Sequence, residues 1–414
     1  MVSTDTGKLS SYQRRLFIFL SVATFFEGYD FLALTQVLPN LRADLDLSQS
    51  QGGFMLAFIN FGTVVAFLLV RRVDRWGRRR MLTITIAGYT LFTFFSGFAP
   101  ETFSFAIFQF FARIFLIAEW ATSMVLASEE FPASKRGMVM GLIQGFSSLG
   151  SIACAGVVPV ILKLTLPFGL EPWRAVYFVG IIPLLILAFA RRDLKESKRY
   201  EEAKQQGQLG GSFFAIWSSP YRGRMLKLAL IWGLTYACTQ NAISFWKEFA
   251  VAERGFSDDD VGKAITIAAV VAMPLVFAAG PLIDRVGRRI GAIIIWVAGG
   301  AGVLGAYGLH GFWPLTLGLC FGIVGASAVL PVLNAYTAEL FPTHFRGDAF
   351  AWTNNLLGRI GYVLSPALVG VLAESWAWGP AVQVMVVPLI LALLLILVWM
   401  PETKSLELEE SSAL

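Results

Sequence analysis

Five ionisable residues stand inside long apolar runs of this chain, and they are the ones best placed to do chemistry. Glu27 and Asp30 lie midway along the first run, Arg113 and Glu119 midway along the fourth, and Arg359 at the centre of the eleventh. An ionisable group at bilayer depth costs at least about 2.5–3.5 kcal/mol on insertion scales, so each demands a role. Glu27 and Asp30 are three apart and share a helical face. Two carboxylates close together in a low dielectric resist ionising together, so one of them titrates in a range useful for carrying a proton. The competing role is an ion pair with Arg113 that holds helices of the N-terminal half together. Such a role does not need two acids, so proton coupling is the reading adopted, with Asp30 as the first proton site and Glu27 as the second. Glu119 either pairs with Arg113, six residues earlier and off its face, or joins the proton path, and both roles stay open.

Arg359 sits in Gly358-Arg359-Ile360-Gly361, where small neighbours leave room beside the guanidinium. The acids of its own half, Glu339, Asp348 and Glu374, fall near span ends. A buried cation without a neighbouring acid invites an anion. The alternative is a pair across the halves with Glu27 or Asp30, which a substrate would displace. Arg113 is a second candidate anion site. Gln144, Tyr236, Gln240, Asn241, Asn334, Tyr336, Asn354 and Asn355 are candidates for lining a central cavity, with helix–helix hydrogen bonding as their other use. Tyr29, Trp120, Trp246 and Trp352 either stack on an aromatic solute or anchor and pack.

The elements that must position these residues are membrane helices. Of 414 residues, 56% are hydrophobic and only 15% charged, against roughly 25% charged in a soluble domain. Runs such as 137–162 and 380–400 carry no charge and match the roughly 20 residues that span a bilayer core. Spanning segments must satisfy their backbone groups internally, and these are too long for barrel strands, so the class is an all-α polytopic membrane protein. Hydropathy places twelve spans near 14–38, 51–72, 80–99, 102–128, 137–162, 173–190, 225–250, 260–282, 290–309, 312–339, 348–373 and 377–399. Most of the 33 lysines and arginines fall on the side that carries both termini, which predicts that side to be cytoplasmic. The net charge of +5 is thus topological and does not call for nucleic acid. The polar N-terminus reads as uncleaved. Cys154, Cys238 and Cys320 lie in apolar runs without metal or redox spacing and read as packing residues.

The chain repeats itself. Asp74-Arg75-Trp76-Gly77-Arg78-Arg79 recurs as Asp284-Arg285-Val286-Gly287-Arg288-Arg289, and Glu129, Phe131-Pro132 and Arg136-Gly137 recur as Glu339, Phe341-Pro342 and Arg346-Gly347, all offset by 210 residues. Two motifs in one register point to a duplicated six-helix unit. The expected organisation is an N-terminal bundle over 1–190, a linker over 191–224, a C-terminal bundle over 225–400 and a tail over 401–414.

With those motifs the chain resembles the major facilitator superfamily, whose signature loop the DRxGRR element matches after the second and eighth spans. The usual glycine four residues before the aspartate is present as Gly280, while Val70 takes that place in the first copy. Pro401-Glu402-Thr403-Lys404-Ser405-Leu406-Glu407 resembles the tail of sugar-porter relatives, with Ser405 for the usual Gly. Glu27-Gly28-Tyr29-Asp30 resembles the acidic pair of aromatic acid:proton symporters, with Glu27 where they have Asp. Arg359 is similar to the arginine that organic anion transporters carry in that helix. The loop physics is readable directly. Asp74 and Asp284 at helix ends complement the positive starts of helices in the opposite half, near Gly347 and Gly137. Arg75, Arg78, Arg285 and Arg288 pair with Glu129 and Glu339. Together with Gly77, Gly287, Arg136 and Arg346 they form an expected cytoplasmic latch that favours the outward-facing state.

Other signals are set aside. Gly300-x-Gly302-x-x-Gly305 lies in an apolar helix and reads as tight packing. No GxxxxGK[ST] loop supports an ATP-driven pump, and His310 and His344 make no metal site. The fifth-helix motif of drug:proton antiporters is absent. The expectation is a non-enzymatic, cofactor-free, monomeric carrier in a bacterial inner membrane. It would take up a small organic anion, aromatic or otherwise, together with protons by alternating access. A sugar or other neutral solute, a proton-driven exporter and a non-transporting receptor are the alternatives.

Overall fold

The structure is a computed structural model. It describes residues 10–71, 76–131, 133–179, 181, 185 and 214–404, except the side chains at 128, 133–138, 168, 343 and 344. Among these residues there are helices and no strand. In the N-terminal half they are α1 (Ser11–Asp44), α2 (Gln49–Val70), α3 (Arg78–Gly97), α4 (Thr102–Glu130) and α5 (Ala133–Ile161). In the C-terminal half they are α6 (Arg222–Thr239), α7 (Asn241–Ser244), α8 (Trp246–Arg254), α9 (Asp258–Val286), α10 (Arg288–Gly308), α11 (Phe312–Glu339), α12 (Thr343–Phe350), α13 (Arg359–Trp376), α14 (Trp378–Gln383) and α15 (Val386–Trp399). Nine described helical segments are long and apolar enough to cross a membrane. The predicted sixth span opens on a 3-10 turn, Pro172–Tyr177, and most of it, like most of the 191–224 linker, lies outside the described residues.

Three predicted spans are interrupted. The seventh breaks at Gln240 and Phe245 into α6, α7 and α8. There Thr239 Oγ1 donates to the Thr235 carbonyl at 3.1 Å, Asn241 Nδ2 to Ala237 at 2.7 Å and Ser244 Oγ to Gln240 at 2.7 Å. Polar side chains that compete for carbonyls one turn back loosen a helix. The eleventh contains a π-helical stretch, Ala351–Gly358, between α12 and α13. The twelfth breaks between α14 and α15, just before Pro388, which has no N–H to offer the preceding turn.

Within each half the first and fifth spans cross on glycine. A Cβ on Gly28 would run into the Ser147 carbonyl, and one on Gly150 into the Phe25 carbonyl, so α1 and α5 meet backbone to backbone. In the second half a Cβ on Gly361 would run into the Gly233 carbonyl, joining α6 and α13 in the same way. Without a hydrophobic force between helices in lipid, such small-residue contacts supply the packing.

The halves meet at the end opposite the signature loops, the far end below. A Cβ on Gly53 of α2 would lie 2.5 Å from the Pro366 carbonyl oxygen of α13. One on Gly262 of α9 would lie 2.7 Å from that of Ala155 on α5. Arg42 Nη1 of α1 donates to Glu248 Oε2 of α8 at 3.0 Å, Ser50 N donates to Glu374 at 3.1 Å, and Lys163 pairs with Asp259 at 2.6 Å. The far end is therefore shut.

Gly361→Ala forces backbone apart, an overpacking cost of about 1–3 kcal/mol, and is expected to lower the melting midpoint of the purified protein by several degrees. Gly156→Ala, whose new Cβ meets nothing within 4 Å, serves as the control and is expected to leave it unchanged.

Candidate functional site

Glu27, Gly28 and Asp30 sit where α1 crosses α5. Ser151 Oγ of α5 donates to the Gly28 carbonyl at 2.9 Å, which fixes α1 at the level of the acids. Arg113 of α4, only 4% exposed, is the opposite charge acting on both Glu27 and Asp30. Its guanidinium lies 5.4 Å from the Phe31 ring centroid, and its Nη1 is buried without a hydrogen-bond partner. Glu119 acts on Glu27 as a like charge and accepts from Thr85 Oγ1 at 2.9 Å and Ser123 Oγ at 3.1 Å. Tyr89 stands against Asp30 and donates to the Phe26 carbonyl at 3.4 Å. Glu27 and Asp30 thus share one guanidinium, with Glu119 as a further acid beside Glu27. The cluster therefore holds more acidic than basic side chains at bilayer depth.

Arg359 is built differently. Its guanidinium carbon lies 5.2 Å from the Tyr236 ring centroid and 4.9 Å from that of Tyr362. Tyr236 Oη donates to Asn354 Oδ1 at 2.8 Å, locking one of the rings. Among the described residues no carboxylate forms a salt bridge with Arg359, and the pair with Glu27 or Asp30 weighed from sequence is not formed. The π stretch ends on Gly358, whose Cβ would meet Trp232 Cβ at 2.7 Å, so α6 presses on the turn that carries the arginine. Cation–π contact holds the guanidinium while leaving its edge N–H donors for a planar anion.

The other candidates divide. Tyr236 and Asn354 join Arg359, and half-buried Asn355 lies on the same π stretch. Gln144 accepts from Trp120 Nε1 at 3.1 Å, linking α4 to α5. Asn241 is fully buried with its amide spent on Ala237, and Gln240 Nε2 donates to Ser244 Oγ at 3.2 Å. Both belong to the helix break rather than a cavity wall. Tyr29 and Trp246 are buried, with Trp246 Nε1 donating to the Ala306 carbonyl at 3.1 Å, so they are packing residues, as is Tyr336. Asn334 is exposed on α11, and Trp352 packs edge-on against Trp217 at 5.0 Å.

At the signature end the duplicated motif folds twice into one arrangement. Gly77 and Gly287, at φ 89° and 94°, start α3 and α10. Arg78 grips Glu129 through two bonds of 2.9 and 3.2 Å, and Arg288 grips Glu339 at 2.7 and 3.4 Å. These pairs lie within each half. Among the described residues, Asp284 pairs within its own half and no contact of it across to the other half is seen. Asp284, its side chain 70% exposed, pairs with Arg288 at 3.1 Å, and a Cβ on either Gly280 or Gly347 would meet nothing within 4 Å. Arg346 Nη2 donates to the Phe341 carbonyl at 3.4 Å. Asp74, Arg75 and the Arg136 side chain lie outside the described residues.

The tail completes the second copy. Glu402 accepts from the backbone N–H groups of Arg288 at 2.9 Å and Arg289 at 3.0 Å, Thr403 Oγ1 donates to Glu339, and Lys404 Nζ donates to the Arg285 carbonyl at 2.7 Å. Burial works to raise the Glu402 carboxyl, but the backbone donors outweigh it and hold it below its ordinary value. Sequence reasoning missed Tyr362, Tyr89, Thr85 and Ser123, along with the far-end Arg42–Glu248 pair. An aromatic three residues after Arg359 was the one local signal available.

Two helical bundles around buried charge, closed at one end, define a membrane carrier. The chain belongs to the Major Facilitator Superfamily, whose family model matches residues 20–257 and 234–413. It is 26% identical over 405 residues to a putative niacin/nicotinamide transporter of Bacillus subtilis, covering 96% of this chain and 98% of that one. It is 29% identical over 347 residues to a probable 4-methylmuconolactone transporter of Cupriavidus pinatubonensis, covering 81% and 78%. Its fold matches a bacterial homologue of the lysosomal transporter Spinster in an inward-facing, unoccupied conformation, with a TM-score of 0.77, 14% identity, and coverage of 94% and 97%. The protein is a secondary transporter of small organic metabolites and not an enzyme.

A carboxyl with a depressed folded value stabilises above its unfolded value and loses that contribution as pH falls through the folded one. Glu402→Gln is therefore expected to lower the melting midpoint at neutral pH, with the gap from the parent protein shrinking as pH drops below about 4.5. Parallel melting curves across pH check this.

Proposed function

We propose that the protein is a proton-coupled symporter that carries a small organic anion, an aromatic or other carboxylate, into the cell. The observation that carries this reading is Arg359, held against two tyrosine rings without a carboxylate partner among the described residues. A carboxylate docks on its N–H edge, while the Tyr236 and Tyr362 rings hold the guanidinium in place. Protons load on Asp30 or Glu27, with Glu119 and its two hydroxyl donors as a further site on the same path.

In this reading the signature end is cytoplasmic, in line with the excess of lysine and arginine there, and the described conformation opens inward. The return to the outward state breaks the far-end contacts of Arg42 with Glu248 and Lys163 with Asp259. It also brings Asp284 to the helix start that it does not touch in the inward state. Rocking of one six-helix half against the other around the fixed central groups is the expected motion. Protein, bilayer, solute and protons suffice, and the protein works as a monomer.

The test is uptake into proteoliposomes under an imposed inward proton gradient, across labelled organic acids, sugars and amines. Gradient-driven uptake of an acid is expected. Asp30→Asn is expected to abolish accumulation against the gradient while sparing exchange, and normal accumulation by this variant would refute the proton role. Arg359→Lys keeps the charge but loses the planar fork, so the apparent affinity for the acid is expected to fall by about tenfold or more, roughly 1.4 kcal/mol. Unchanged affinity would remove Arg359 from the site, and transport of sugar alone would overturn the anion reading.

A further inference from the structure

Asn60 of α2 carries a buried amide with no use in the described conformation. It is 2% exposed, and its Nδ2 has no hydrogen-bond partner. A buried donor left unpaired costs free energy, so its persistence calls for a reason. Its place in the fold supplies one. α2 runs inward from the far end and α13 runs outward to it, with Ser50 N bonded to Glu374 where they meet. The two helices touch closely at Gly53, whose Cβ would lie 2.5 Å from the Pro366 carbonyl oxygen. One heptad, about two turns, returns a helix to nearly the same face. One heptad inward from that contact, α2 presents Asn60 and α13 presents Arg359. The register therefore sets the idle amide level with the guanidinium, across the seam between the halves.

Asn60 belongs to the first half. A Cβ on Gly62 would lie 2.8 Å from the Phe110 carbonyl oxygen and 3.2 Å from Arg113 Cβ, so α2 is pinned to α4. Arg359 is pinned to α6 through Gly358 and Gly361. When the far end opens, Gly53 and Pro366 part, and the seam opens from the side on which the solute arrives.

We propose that Asn60 binds the solute carboxylate beside Arg359 in the outward-facing state and is withdrawn from it in the inward-facing state. The inference rests on the anion reading of Arg359 and adds a donor from the opposite half. The amide N–H gives the carboxylate one more charge-assisted bond, available only while the far end is open. The solute is then held more tightly outside than inside, which favours loading at one face and release at the other.

The test is half-saturation measured in right-side-out and inside-out membrane vesicles. The probe is labelled benzoate, or the panel acid that the parent protein accumulates best. Asn60→Leu is expected to raise half-saturation about tenfold at the far-end face and to leave it unchanged at the signature face. The melting midpoint of the purified variant is expected to hold or rise, because an apolar side chain replaces an idle donor. Asn60→Cys, in a chain with Cys154, Cys238 and Cys320 changed to Ala, is expected to react with a membrane-impermeant thiosulfonate added at the far end. The same acid is expected to slow that reaction. An unchanged half-saturation at the far-end face, equal weakening at both faces, or no labelling from the far end overturns the role of Asn60 and leaves acid transport standing. A parent protein that accumulates no acid overturns the anion reading of Arg359, and this inference with it.

Discussion

The contact on which the rest depends is the backbone-to-backbone crossing of the first and fifth spans in each half. At Gly28 and Gly150 in one half, and at Gly233 and Gly361 in the other, the helices approach so closely that a methyl group has no space. The functional groups sit beside these crossings. Gly28 lies between Glu27 and Asp30, while Arg359 stands between Gly358 and Gly361. A close crossing is rigid, and a charge held at bilayer depth must be held rigidly if it is to meet a partner rather than drag water inward. The glycines fix the helices, and the helices fix the charges.

The two halves solve the buried-charge problem in opposite ways. In the first, Glu27 and Asp30 lie against Arg113 and Glu119 acts on Glu27, with hydroxyls of Thr85 and Ser123 on Glu119 and Tyr89 beside Asp30. The cluster contains its own counter-charge and is an excess of acid over base, the composition that the proposed proton coupling calls for. In the second, Arg359 has aromatic faces in place of a counter-charge. Ring quadrupoles attract a cation without neutralising it, so the site keeps its pull on an anion.

The all-α class, the duplication and the five buried charges were all legible in the sequence, because burying charge in lipid is so costly that a lone Asp30 or Arg359 announces itself. The Arg78–Glu129 and Arg288–Glu339 pairs were legible for a similar reason, since each motif occurs twice in one register. The rest was not written locally. Tyr362 gains its meaning only from the turn it shares with Arg359, and Arg42 meets Glu248 across 206 positions of chain. The π stretch and the break at Gln240 depend on side-chain competition for carbonyls that hydropathy does not weigh. Asn241 and Trp246 look from sequence like cavity residues because polar and aromatic side chains in spans serve both walls and packing, and only their burial separates the two.

The division of charge between the halves constrains how coupling works in the proposed cycle. The proposed proton cluster belongs to α1 and α4, while the proposed anion site belongs to α6 and the eleventh span, so in that cycle the two ligands load on bodies that move against each other. With no salt bridge joining Arg359 to Glu27 or Asp30 in the described state, a proton need not be handed to the solute. Each ligand instead alters the charge balance of its own half, and a half with uncompensated charge resists passing through the occluded state. Protonation relieves the acidic excess around Arg113, and the carboxylate relieves the bare cation at Arg359. A carrier with both sites filled crosses easily and one with a single site filled does not, which is the condition for obligatory symport.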